Sequence, residues 1–273
     1  MKKSNGKVRT FGNTNVSRHY PATIFSMTLY DNYINGQTEQ VYKDISVLGQ
    51  DAFLPTNLPD VEKVLTETFQ RVSFNLDIIY SELKNINYLF PKEFEYNFQR
   101  PLIKPLPDTE KLFTKLENAV RPFGFVPLSL KMFYRIVGAC NFGWDYKTNE
   151  KYIWQFADPI QITSIDDIVL EVTDEDFLSG LQEYYEDDGF VSLPLSADYL
   201  HKDNTSGGQA YSLKVTEQPS VDAEFLNEEH ATTFINYLRI CFDNCGFSRI
   251  ANPESNNHYQ AFFDKVKPQL KPI

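Results

Sequence analysis

Long apolar runs are missing from this sequence, and their absence excludes one class of protein. No stretch approaches the roughly 20 apolar residues that a membrane-spanning helix needs. The basic first residues are not followed by the apolar run of a secretory signal peptide. Cysteine is also scarce, with 3 in 273 residues, so the chain is not a disulfide scaffold. These absences predict a cytoplasmic protein with no membrane segment.

Positive charge is missing from one long segment. Residues 152–201 contain no Lys or Arg and twelve Asp or Glu, whereas residues 1–20 contain five basic residues and no acidic one. The net charge of the whole chain is −11. Because nucleic-acid binding depends on Lys and Arg that neutralise phosphates, this balance argues against a nucleic-acid partner. It leaves a basic protein partner open.

Signatures of metal binding and catalysis are also missing. Cys241 and Cys245 lie four residues apart, with His230 upstream, but Cys140 stands alone. A zinc site needs three or four converging ligands, and this spacing matches no common zinc pattern. We therefore predict that the cysteines are small buried apolar residues, and we predict no metal site and no cofactor.

The sequence does contain enough apolar residues for a sizeable core, since 42% of them are hydrophobic and 15% are aromatic. Residues 126–144 form the best delimited segment. Pro127 is suited to a first helical position, and Leu130, Phe133, Tyr134 and Val137 follow with helical spacing. Gly138 then favours a helix end, and residues 139–142 predict a strand. A helix that passes directly into a strand indicates an α+β core.

Further elements are predicted on both sides of this segment. Pro59–Asp60 opens a strongly helical region that extends to about residue 86, with Ser73 or Asn75 as a possible break between two helices. Asn227 is expected to cap a helix over residues 228–245, and Ser164 a helix that begins at residue 165. The remaining predicted helices cover residues 108–120 and 256–267, and the predicted strands cover residues 152–156, 160–162, 190–193 and 210–215.

The N-terminal part has weaker patterns. Residues 1–18 are polar and basic, which is typical of a flexible leader, and contact with an acidic surface is the alternative. Residues 22–30 and 41–48 could be strands. We predict an α+β fold with a mixed, mainly antiparallel sheet flanked by helices, in which residues 1–55 are a partly flexible N-terminal extension and residues 56–273 form the main domain.

A polar loop over residues 198–211 is the densest cluster of polar groups. A phosphate-binding loop would place its Lys after the glycines and lead into a helix, but here the glycines lead into a predicted strand. Ser206 also lacks the glycine pattern of a serine nucleophile. The loop is therefore either a shaped turn or a contact with a ligand or partner, made by Asp198, His201, Lys202, Asn204, Ser206, Gly207, Gly208 and Tyr211.

The acidic segment has two interpretations as well. The first is a solvated face of the protein. The second is a recognition surface for a basic partner, because densely packed like charges repel one another and a partner relieves that repulsion. The residues of the predicted surface are Asp174, Glu175, Asp176, Glu183, Glu186, Asp187 and Asp188.

The middle of the chain resembles the SUKH superfamily, whose members are α+β proteins that often act as bacterial toxin-immunity or scaffold proteins. The resemblance rests on the segment from Val126 to Leu130, the Phe133–Tyr134 pair, Gly138 and the strand after it, and the Asp158–Pro159 step. The motif from His201 to Tyr211, with residues 234–239 and 246–247, is similar to a bacterial subgroup of that superfamily. The resemblance implies the fold and a binding role, and it transfers no catalytic residue.

These observations lead to one hypothesis and one alternative. The protein is expected to be a non-enzymatic protein-binding module, in its specific form an immunity protein that neutralises a basic toxin domain through the acidic surface. The alternative is a small-molecule-binding protein or an unrecognised enzyme that uses the polar loop.

Overall fold

The computed structural model describes residues 27–90, 100–145, 157–202, 205, 207–250 and 257–273. It confirms the predicted α+β class, with antiparallel strands flanked by helices. The described helices are α1 (Leu29–Ile34), α2 (Thr38–Leu48), α3 (Leu58–Asn85), α4 (Thr109–Val120), α5 (Leu128–Ile136), α6 (Ile165–Val172), α7 (Glu175–Asp188), α8 (Tyr199–Lys202), α9 (Phe234–Asp243) and α10 (Asn257–Val266). Short 3-10 helices cover Gly49–Phe53 and Lys267–Gln269.

The strands of the described residues form three small antiparallel sheets rather than one. They are β1 (Leu102–Ile103), β2 (Ala139–Asn141), β3 (Asp158–Pro159), β4 (Gln161–Ile162), β5 (Ser192–Ser196), β6 (Tyr211–Lys214), β7 (Glu224–Leu226), β8 (Thr232–Thr233) and β9 (Phe247–Arg249). The strand orders are β1-β2-β4, β3-β9 and β5-β6-β7-β8. Backbone bonds join the sheets, since the N–H of Thr163 donates to Leu195 O at 2.8 Å and that of Ile160 to Gly246 O at 2.9 Å.

Helix α3 is the longest of the described elements and lies against both α1 and the C-terminal segment that contains α10 and Lys271. It is continuous over 28 residues, so the predicted break at Ser73 or Asn75 is wrong. The side chain of Asn75 is buried, and its amide exchanges two hydrogen bonds of 2.8 Å with the backbone of Lys271. Because this tertiary contact satisfies the amide, it does not compete for the helix backbone. The buried apolar face of α3 consists of Val61, Val64, Leu65, Phe69, Val72, Leu76, Ile79 and Leu83.

The junction of α5 and β2 confirms the interpretation of residues 126–144. Gly138 follows the helix with φ +96°, and its N–H donates to Phe133 O at 3.1 Å. Its Cα lies so close to β1 that an added Cβ would be 2.0 Å from Ile103 O. The absence of a side chain therefore allows β2 to pair with β1 immediately after the helix ends.

The described part of the predicted extension is helical. Residues 41–48 lie within α2, so the strand predicted there is wrong, and the end of the predicted strand 22–30 lies in α1. Residues 1–26, which include the predicted leader, lie outside the described residues. Tyr33 and Val41 are fully buried in the same core as α3. The apolar residues of α2 recur with the period of a helix that packs against a neighbouring element. This periodicity determines the secondary structure of the segment, although its β-rich composition favours a strand.

A second correction concerns residues 227–233, which were expected to begin a helix. They form a hairpin turn and strand β8, and α9 begins only at Phe234. The carboxylate of Glu228 accepts hydrogen bonds from the backbone of His230 at 2.9 Å and of Thr232 at 3.0 Å. These bonds, together with the pairing of β8 with β7, occupy the donors that a helix would use.

The remaining predictions concern the start of α6 and several short strands. Helix α6 begins after Ser164 as expected, but the Ser164 hydroxyl donates to the Asp167 carboxylate at 2.8 Å instead of capping the backbone. Strands β4, β5 and β6 correspond to predicted strands. Asp158 and Pro159, expected to end a strand, themselves form β3. The strand predicted over residues 152–156 lies outside the described residues.

The Gly138 junction generates a prediction about stability. We expect Gly138→Ala to lower the free energy of unfolding by about 3–5 kcal/mol, because the new Cβ combines a strained φ with backbone overlap. Urea denaturation measures the change. Gly180→Ala in α7 is the matched control, because its Cβ would meet no atom within 4 Å and Ala is favoured over Gly in a helix by about 0.5–1 kcal/mol. Equal stability of the two variants would contradict the prediction.

Candidate functional site

A buried ion pair joins the polar loop to the rest of the described core. The ammonium of Lys202 lies 2.5 Å from Asp158 Oδ1, and both side chains are almost fully buried. The other carboxylate oxygen accepts hydrogen bonds from Ser248 Oγ at 2.6 Å and from the Tyr211 hydroxyl at 3.0 Å. The Tyr211 hydroxyl in turn accepts the N–H of Tyr199 at 3.2 Å. A buried charge is tolerated only with such partners.

Four secondary-structure elements supply this cluster. Asp158 begins β3, and Ser248 lies on β9, which pairs with β3. Lys202 ends the short helix α8, and Tyr211 begins β6. The cluster therefore connects the β3-β9 pair to the four-stranded sheet and fixes α8 between them.

The backbone of the loop is organised by a second carboxylate. Asp198 Oδ1 accepts hydrogen bonds from the N–H groups of Leu200 at 2.8 Å and His201 at 3.0 Å. Its Oδ2 accepts the N–H of Gly208 at 2.6 Å. Asp198 therefore closes the loop by holding both of its ends, as the side chains of turn-forming residues do.

The structure separates the predicted loop residues instead of bringing them to one open site. Lys202 and Tyr211 point into the core, whereas His201, Gly207 and Gly208 are exposed. Asn204 and Ser206 lie outside the described residues. The side chains of Lys202, Tyr211 and Asp198 are all engaged by protein groups. The geometry therefore gives Asp198, Lys202 and Tyr211 a structural role.

The three cysteines are buried free thiols. Burial raises the pKa of Cys140 to about 12 and that of Cys245 to about 12. Burial, reinforced by the nearby Asp158 carboxylate, also raises the pKa of Cys241 well above its usual range. Because the thiolate is both the nucleophile and the metal ligand, these thiols are unreactive in the folded protein.

The predicted acidic surface consists of α7 and its N-cap. All seven carboxylate side chains are exposed. Successive residues of a helix are rotated by 100°, so five of these acids project from the side of α7 opposite the buried Leu181: Glu175, Asp176, Glu183, Glu186 and Asp187. None of the seven takes part in an ion pair within the part of the chain that the structure describes. We refer to these seven residues as the α7 acidic surface.

The two ends of α7 differ in how well they accommodate acids. At the N-terminus, Asp174 accepts hydrogen bonds from the N–H groups of Asp176 at 3.0 Å and Phe177 at 3.1 Å, and the helix dipole favours negative charge there. At the C-terminus, Glu186, Asp187 and Asp188 occupy the last turn, which contains no basic residue. Negative charge at that end opposes the dipole. The C-terminal end is therefore the electrostatically unfavourable part of the surface.

Sequence reasoning missed Asp158 and Ser248. Asp158 enters the sequence-based predictions as the end of a strand, as part of the acidic segment and in the Asp158–Pro159 step of the family resemblance, but not as a buried charge, although Ala157, Pro159 and Ile160 around it form an apolar context. A lone carboxylate in such a context indicates a buried charge that needs a partner. Lys202, the first basic residue after the segment without Lys or Arg, is that partner. Ser248 carried no comparable signal.

Within the residues that the structure describes, no group of three or more His, Cys, Asp and Glu side chains could hold a metal ion. None of the described helices is long and apolar enough to cross a membrane.

Comparison of the chain with models of protein families, with curated proteins and with solved structures finds no match.

The buried ion pair generates a prediction about stability. We expect Lys202→Met to lower the free energy of unfolding by about 3–5 kcal/mol, because it leaves the Asp158 carboxylate buried without its cation. The double variant Asp158→Asn with Lys202→Met is expected to recover part of this loss. Lys104→Met removes an ion pair whose side chains are more than half exposed, so its effect should be about 1 kcal/mol or less. A Lys202→Met variant as stable as Lys104→Met would contradict the assignment.

The thiols generate a second prediction. We expect none of the three to react with a disulfide reagent such as DTNB in the native protein at mildly alkaline pH, and all three to react in denaturant. The absorbance of the released thiolate measures the extent of reaction in the native protein and in denaturant. Rapid reaction of one equivalent in the native state would show an accessible cysteine.

Proposed function

We propose that this protein is a non-enzymatic protein-binding module that receives the basic surface of a partner on the α7 acidic surface. The observation that carries the proposal is the uncompensated group Glu186, Asp187 and Asp188 at the C-terminal end of α7. These exposed carboxylates oppose the helix dipole and repel one another. A basic partner removes both effects when it binds, and it is steered to the surface by the same charges.

An exposed aromatic residue adds a contact of another kind. Tyr184 lies one helical turn before Asp187 and Asp188, its i+3 and i+4 neighbours, and is 64% exposed. Tyrosine combines a large apolar area with one hydroxyl, and it is enriched among the residues that dominate binding energy at interfaces. In the proposed complex Tyr184 supplies the apolar contact, and the surrounding carboxylates supply orientation and association rate.

The resemblance to the SUKH superfamily supports a more specific form of the proposal, in which the partner is a basic toxin domain and the protein acts as its immunity protein in the cytoplasm. The three free thiols are in keeping with a reducing compartment. The polar loop is the weaker candidate for function, because the side chains of Asp198, Lys202, Thr205 and Tyr211 are held by protein groups. In the proposed function these four residues maintain the fold.

Charge reversal tests the proposal. The test variant carries Asp176→Lys, Glu183→Lys and Asp187→Lys. The control carries Glu62→Lys, Asp108→Lys and Glu217→Lys, three exposed acids outside α7, so that both variants have the same net charge. Each protein is used as bait in the source cells, and captured partners are then measured with purified components.

We expect one partner to bind the wild type and the control, and to bind the α7 variant about tenfold or more weakly. Its association rate should fall as ionic strength rises, because salt screens exposed charges beyond about 10 Å at 0.1 M. A partner that binds the α7 variant and the wild type equally would overturn the assignment of the surface.

A further inference from the structure

The backbone of residues 271–273 is bound by side chains of two helices. Asn75, in the middle of α3, exchanges two hydrogen bonds with Lys271: its Oδ1 accepts the Lys271 N–H at 2.8 Å, and its Nδ2 donates to Lys271 O at 2.8 Å. Asn75 is fully buried, and among the described residues its side chain has these two bonds only. Because a buried amide without a partner is unfavourable, this position requires a peptide group against it.

Two arginines bind the next two carbonyl oxygens. Arg71 Nη1 of α3 donates to Pro272 O at 3.0 Å, and Arg239 Nε of α9 donates to Ile273 O at 2.8 Å. In the part of the chain that the structure describes, no hydrogen bond joins the backbone of residues 271–273 to another backbone group. The segment is therefore held as a separate peptide ligand is held, by groups of the receptor that bind its main chain.

The side chains of the segment differ in how far the protein encloses them. Ile273 is 4% exposed and belongs to the hydrophobic core, whereas Lys271 and Pro272 are exposed. The Lys271 ammonium lies over the ring of Phe74, 4.4 Å from its centroid. Pro272 has no N–H, so it brings no unpaired donor to the site. Position 273 is therefore the one at which the side chain determines selectivity.

Both arginines are oriented by groups outside the segment. Arg71 Nε pairs with Glu67 Oε1 at 2.8 Å, and its guanidinium lies over the ring of Tyr33, 4.7 Å from the centroid. The Arg239 guanidinium lies over the ring of Tyr42 at 4.6 Å. These contacts come from α1, α2 and α3, so the donors do not depend on the segment for their orientation. Such preorganisation favours the binding of a peptide in place of the segment.

We propose that Arg71, Asn75 and Arg239 form a peptide-binding site, which residues 271–273 of the same chain occupy as an intramolecular ligand. The external ligand is an extended segment of a partner protein that presents the same main-chain groups and places a branched aliphatic residue two positions after the one bound by Asn75. The chain's own segment competes with it, because a tethered segment has an effective concentration in the millimolar range. The α7 acidic surface contributes nothing to this site, so the two proposals are independent.

A synthetic peptide with the sequence of residues 267–273, KPQLKPI, is the probe, and the full chain is the receptor. Ile273→Asp opens the site, because it places a carboxylate where the core encloses an apolar side chain. Lys271→Pro opens it by other means, since it removes the N–H that Asn75 binds. We expect the peptide to bind each opened chain about tenfold or more tightly than the wild type, whose own segment occupies the site. Backbone amide shifts in α3 and α9 measure the affinity and locate the site.

Two controls assign the binding to this site. Adding Asn75→Ala to Lys271→Pro should weaken peptide binding about tenfold or more, because two hydrogen bonds are lost, whereas adding Gln70→Ala, at an exposed position of α3, should leave it unchanged. A peptide with Asp in place of its isoleucine should bind both opened chains at least about tenfold more weakly. Urea denaturation establishes that each variant is folded.

Three results would overturn the proposal. The first is equal affinity of the peptide for the wild type and the opened chains. The second is no binding to either opened chain at up to about 10 mM peptide, above the effective concentration of a tethered segment. The third is binding that is indifferent to the isoleucine of the peptide.

Discussion

The arrangement of the sheets depends on the buried carboxylate of Asp158. Its partners Lys202, Tyr211 and Ser248 come from α8, β6 and β9, and all three lie more than 40 residues from Asp158 in the sequence. A carboxylate removed from water is unfavourable by several kcal/mol unless its partners are all in place. The buried charge therefore favours the packing of the four elements that the structure shows, and the polar loop closes as part of that arrangement.

This constraint divides the acidic residues into two groups with different consequences. Asp158 and Asp198 are used internally, one by a cation and hydroxyls and the other by backbone N–H groups. The acids of α7 face solvent and have no compensating cation in the described parts of the molecule. Helix α7 therefore carries a dense group of negative charges that is free to act on another molecule.

Local sequence patterns were sufficient to predict a helix or strand where the residues of that element determine its structure. The α5–Gly138–β2 junction, the buried stripe of α3 and the short helix α10 all follow from apolar spacing and from a glycine at a helix end. The errors occur where a contact outside the segment decides its structure. Asn75 does not break α3 because the backbone of Lys271, 196 residues away, binds its amide. Residues 227–233 do not join α9 because β8 pairs with β7 in a hairpin.

The sequence by itself determined the α+β class, the positions of most helices and the concentration of negative charge in residues 152–201, because periodicity and composition are local properties. Only the tertiary structure decided which charges are available. It placed Lys202 against Asp158 in the core, and it brought Arg239 of α9 against Thr38 and Tyr42 of α2, about 200 residues away in the chain. Whether a charged side chain is paired depends on distances between segments that meet only after folding, and sequence spacing does not contain those distances.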